Sequence, residues 1–170
     1  MSAVHQPGGA AYDIVLLLHV ACVVVGLVTT TAAAATASRL RRVVRSPGPL
    51  PDPLRRYFRP GVNWAGRTVY GIPVFGFVLL AMSRGAFALR DGWVLGGLAL
   101  FAGVALLGEG VLWPAERRLQ IALIGTDPGS VPSPPLAVAS LEQDATAMER
   151  AAAGSLVLLV LGTVLMIAQP

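Results

Sequence analysis

Residues 14–30 read IVLLLHVACVVVGLVTT, without a single charged side chain. A helix rises about 1.5 Å per residue, so roughly 20 apolar residues cross a hydrocarbon core about 30 Å thick. Together with the Thr/Ala run that follows, the stretch predicts a membrane-spanning helix over about residues 14–37. One imidazole, His19, interrupts its aliphatic surface, and what that imidazole does is the question the rest of the chain has to answer.

Three further blocks share the character of the first, at about 62–82, 92–113 and 151–168. Arg67 falls inside the second, where a guanidinium near a helix end can snorkel back to the interface. Hydrophobic residues make up 55% of the 170-residue chain and charged residues 13%, against about a quarter charged in a soluble domain. Mean hydropathy is +0.68. These values predict an all-α integral membrane four-helix antiparallel bundle, a single transmembrane domain over residues 1–170 with cytoplasmic segments at about 38–61 and 114–150.

Charge placement orients the bundle. Arg39, Arg41, Arg42, Arg45, Arg55, Arg56, Arg59 and Arg67 lie between or at the edge of spans one and two, and Arg117, Arg118 and Arg150 between spans three and four. The second connection has only Arg84 and Arg90, and no Lys or Arg precedes span one. Positive loops stay in the cytoplasm, so both termini are expected outside a bacterial cytoplasmic membrane. The formal charge of +4 follows from these loop arginines and not from a basic face, so the expected partners are lipid and other membrane subunits, or a second copy, and not nucleic acid. Residues 29–38, TTTAAAATAS, resemble a signal-peptide cleavage site, but the positive charges follow the apolar region instead of preceding it, so the segment reads as a retained span.

The connections differ in kind. RSPGPLPDPLRRYFRPG (45–61) holds too many prolines for a helix before Leu54 and reads as an extended crossing, with Tyr57, Phe58 and Trp64 resting in the headgroup layer. Pro134–Pro135 after GTDPGSVPSPP (125–135) marks a helix start, and nothing breaks a helix from Leu136 into span four. Pro114 is expected to kink span three or to mark its exit from lipid. Tyr70, Gly71 and Pro73 form an irregular, small-residue patch in span two.

Cys22 (i+3), Gly26 (i+7) and Thr30 (i+11) share a helical face with His19. Cys22, Gly26, Thr30 and Ala34 then recur every four residues, a small-residue stripe that lets helices approach closely in lipid. The imidazole is therefore aimed at neighbouring helices. Its two readings are a hydrogen bond to a backbone carbonyl or hydroxyl across that seam, and ligation of haem or copper. As the only cysteine, Cys22 makes no disulfide within the chain, and no phosphate loop, paired metal spacing or nucleophile motif is present. Glu109, in LLGEGVLWPAERR (106–118), is the only acid deep within a span. It reads as an ion or proton site, or as half of an ion pair with Arg67, which sits at a similar depth. His19 and Glu109 fall at different depths, roughly 8 Å and 24 Å along their spans, which rules out a direct dyad.

The opening LLLHV (16–20), the glycine later in that span, and LWPAERRL (112–119) closing the third resemble the small bacterial membrane proteins of unknown function related to the copper-resistance-D family. That superfamily includes the HemJ-type protoporphyrinogen oxidases. The resemblance implies four spans and, in the oxidase branch, a haem held by a first-span histidine, matched here by His19, together with an intramembrane lysine. This chain has no lysine, and its first span no tryptophan, which sets it nearer the branch found in high-GC actinobacteria. The expected function is that of a non-catalytic multi-pass membrane protein, an accessory subunit of a larger respiratory-type complex with no cofactor of its own. The alternatives are a haem- or copper-binding redox protein using His19, and a small ion or proton transporter using Glu109.

Overall fold

The computed structural model describes residues 9–45, 49–124 and 135–168, with side chains from residue 138 in the last segment. The fold is an all-α bundle of four long helices, with no strand among the described residues. Four helical stretches are long and apolar enough to cross a membrane: Ala10–Val44, Trp64–Met82, Gly92–Ile124 and Val138–Ile167.

Helix α1 (Ala10–Val44) runs two turns beyond the expected end of the first span. Nothing from Ser38 to Val44 breaks a helix, and Arg41 and Arg42 in the last turn complement the negative end of the helix dipole. A short α2 (Asp52–Tyr57) starts two residues earlier than expected, because Pro53 lies in the first turn, where its missing N–H is not needed. The second span is built in three pieces: α3 (Trp64–Arg67), a 3₁₀ turn (Thr68–Tyr70) and α4 (Gly71–Met82). The irregularity falls on the predicted patch, and Asn63 caps its start, its side chain accepting from the Gly66 N–H at 3.1 Å.

The third long stretch begins with α5 (Gly92–Leu107) and ends with α6 (Trp113–Ile124), joined by a π-helical turn at Gly108–Leu112. The kink expected at Pro114 is expressed one turn earlier. Proline has no N–H, and its ring crowds the carbonyl four residues back, that of Gly110. The backbone responds by widening, and the Trp113 N–H donates to the Gly108 carbonyl, five residues back. Helix α7 (Pro135–Ile167) is one continuous 33-residue rod, as the absence of breakers after Leu136 predicts.

The chain packs as two compact units. One comprises Thr30–Val62 and Val104–Val157, the other Met1–Thr29, Asn63–Gly103 and Leu158–Pro170. In the first, Ala33, Ala37, Leu40 and Val44 of α1 are buried, as are Leu141, Ala145, Met148 and Ala152 of α7. Both sets step by four, three and four residues, close to the helical repeat, which keeps one stripe facing its partner. Ala115 and Leu119 of α6 join this core, with Leu54 and Phe58 from the α2 region. Phe58 therefore lies in the core and not in the headgroup layer. Its ring meets Tyr57 edge-on at 5.1 Å. Ion pairs flank the core: Arg41–Glu149 and Arg45–Glu142 tie α1 to α7, and Arg118–Asp144 ties α6 to α7 at 2.8 Å.

In the other unit, side chains seat against glycines. A Cβ added at Gly96, Gly97 or Gly103 of α5 would come within 2.8–2.9 Å of the side-chain tips of Leu165, Met166 or Leu158 of α7. A Cβ at Gly71 would sit 2.5 Å from Cys22 Sγ, so α1 and the second span touch at this glycine and the thiol would have to shift for any larger residue.

Candidate functional site

The predicted His19 face of α1 is the face that packs. Cys22 lies against Gly71, while Gly26 is buried against Val69, Ile72 and Leu159. Thr30 and Ala34 are both partly buried, and Ala34 packs against the core. A strict four-residue step advances 400°, about 40° past a full turn, so the stripe drifts and the fully buried position beyond Thr30 is Ala33.

His19 Nδ1 lies 2.9 Å from the carbonyl oxygen of Ile72. A carbonyl only accepts, so Nδ1 carries the proton and donates. Gly76 lies beside the ring: a Cβ there would be in van der Waals contact with His19 Cε1 at 3.5 Å. This is a hydrogen bond across the seam, and it engages Nδ1 alone. His19 Nε2 makes no hydrogen bond with any described residue.

Beside His19 the helices leave a cavity of about 350 Å³. Leu16, Pro73, Leu80 and Leu98 are among the aliphatic walls, and Phe87, Trp93 and Phe101 among the aromatic ones. Phe87 and Trp93 hold each other edge-to-face at 5.4 Å, and Phe101 is held likewise by Tyr70 at 6.1 Å, so these walls are braced. None of the lining residues is charged. Sequence reasoning did not find this cavity; the aromatic residues at both ends of the span 2–3 connection were its only trace.

Several other polar groups are taken up in structure, whereas the buried Ser155 hydroxyl has no partner among the described residues. Thr29, Thr146 and Thr163 donate to carbonyls of their own helices at 2.7–2.8 Å. No group of three or more His, Cys, Asp or Glu gathers to hold a metal among the described residues. Glu109 sits on the π-helical turn, exposed, between Gly108, which packs under the Trp113 ring, and Gly110, which faces open space. Arg67, partly buried, ends α3 in the other unit. Sequence reasoning passed over Glu116 and Gln120, both buried on the inner face of α6 with Ala115 and Leu119. Gln120 Nε2 donates to the Gly61 carbonyl at 3.4 Å. Their apolar neighbours at i−1 repeat every four residues, a signal that was available in the sequence.

No family model matches the chain, and neither a curated protein nor a solved structure matches it.

Proposed function

We propose that this chain is a non-catalytic multi-pass protein of the bacterial cytoplasmic membrane, with both termini outside, acting as an accessory subunit of a larger membrane assembly. The observation that carries the non-catalytic part is where the polar side chains go. Arg41, Arg45 and Arg118 are matched to Glu149, Glu142 and Asp144, threonine hydroxyls close onto their own helices, and His19 Nδ1 holds a backbone carbonyl. The arginine bias between the connections supports the orientation. In this reading no haem or copper is held, and Glu109 conducts nothing.

A stripe on α1 supports the accessory role. Leu17, Val20, Val24 and Val28 are exposed at three- and four-residue steps, an apolar ridge suited to lipid and to another subunit's helix. Photo-crosslinkers at Val24 and Val28 in intact membranes test this: the expected product is one defined protein adduct. Adducts to lipid alone would withdraw the accessory role. Single cysteines at Ala3 and Ser46 test orientation, with Ala3 expected to label from outside only. A haem band at about 400 nm that vanishes in His19→Ala would replace this reading with the redox one.

A further inference from the structure

We infer that the cavity beside His19 binds a neutral, membrane-dissolved lipophile headed by a phenolic ring, whose hydroxyl donates to His19 Nε2. The inference goes beyond an accessory role and does not depend on orientation.

The imidazole supplies the polar half of the argument. Its Nδ1 proton is committed to the Ile72 carbonyl. No lining residue is charged, so an imidazolium would stand without a counter-ion among apolar groups, at high cost. The ring is therefore neutral, and Nε2 is left as a bare acceptor in a fixed orientation. Such an atom calls for a donor, and no described residue provides one.

The walls supply the other half. A carboxylate or phosphate headgroup would meet no cation here, and an ammonium no anion, so the ligand is neutral. The volume, about 350 Å³, is at the small end of ligand pockets and suits one ring with an alkyl chain. Phe87, Trp93 and Phe101 offer faces and edges that a flat aromatic ring matches better than an acyl chain does.

The test is saturation binding of tritiated 4-nonylphenol, nonylbenzene and 1-nonanol to the full chain in detergent, with empty micelles subtracted. The expected result is saturable uptake of 4-nonylphenol about tenfold tighter than of nonylbenzene, the effect of one hydrogen bond made or missed, and tighter than of 1-nonanol, which has the hydroxyl and lacks the ring. His19→Leu should abolish the preference over nonylbenzene while retaining weak uptake of both. Leu98→Trp, which fills the cavity and leaves His19 in place, should abolish saturable uptake and decides the matter should His19→Leu not fold. Absence of saturable binding, equal binding of nonylbenzene (a hydrocarbon slot only) or of nonanol (no place for a ring) would overturn the proposal. So would a preference that survives in His19→Leu, or unchanged uptake in Leu98→Trp.

Discussion

The two units solve the same problem, packing helices of one chain, by opposite means. The arginine-rich unit interlocks alanines with large residues along stripes that step by three and four residues, leaving Leu40, Leu119 and Met148 without exposed surface, and closes its flanks with ion pairs. The other unit seats side-chain tips on glycines, carries few charges and retains a cavity. Stability is accordingly expected to concentrate in the first unit and ligand chemistry in the second.

The largest test of that division is core truncation. Leu119→Ala removes a side chain with no exposure and is expected to cost about 2–5 kcal/mol, while Leu98→Ala, beside space already empty, should cost less than half as much. Equal losses in denaturant titrations of the detergent-solubilised protein would erase the contrast. A second test sharpens the glycine argument. Gly71→Ala drives a methyl into Cys22 Sγ and should cost about 1–3 kcal/mol, with much of it recovered by adding Cys22→Ala. Gly26→Ala, whose Cβ would meet its neighbours at 3.6–3.9 Å, should be nearly neutral.

A third prediction concerns the Arg67–Glu109 pair read from the sequence. Singly, Glu109→Gln and Arg67→Gln should each destabilise, and the double variant should lose less than their sum, with a coupling of about 0.5–3 kcal/mol. Additive losses in thermal melts would dissolve the pair. The smallest effect belongs to Arg45–Glu142. Glu142 lies on the charged first part of α7, before the apolar stretch that begins near residue 151, and is partly exposed. The hydrogen bond from Arg45 holds its carboxyl below the usual glutamate range. A lowered carboxyl stabilises above its unfolded pKa and loses that contribution as pH falls through the folded value. The melting temperatures of wild type and Glu142→Gln should therefore differ slightly at neutral pH and converge below about pH 4.

Much of the site's framework was legible. His19, Cys22 and Gly26 were assigned to a packing face from their spacing alone, and Tyr70–Pro73 to an irregular patch, because a 3.6-residue period and the backbone needs of Gly and Pro are local properties. Ala33 was not separable from Ala34, because residues 32–35 are all alanine and carry no contrast from which to read a phase. Phe58 was misplaced for a related reason: an aromatic beside arginines has the same local signature in a headgroup layer as over a helical core.

The sequence by itself determined that four long apolar helices exist, where arginine gathers, and which residues of α1 turn toward neighbours. These follow from hydrophobicity, charge and helical period, each set by a residue and those a few places away. Only the tertiary structure decided that the Ile72 carbonyl receives the His19 proton, that Pro114 is absorbed by a π-helical turn ending at Leu112, and that a cavity remains beside the imidazole. Each depends on how far apart two backbones settle, which is set by side chains more than forty positions apart in sequence at the His19–Gly76 contact and by the balance between ring strain and helix geometry at the proline.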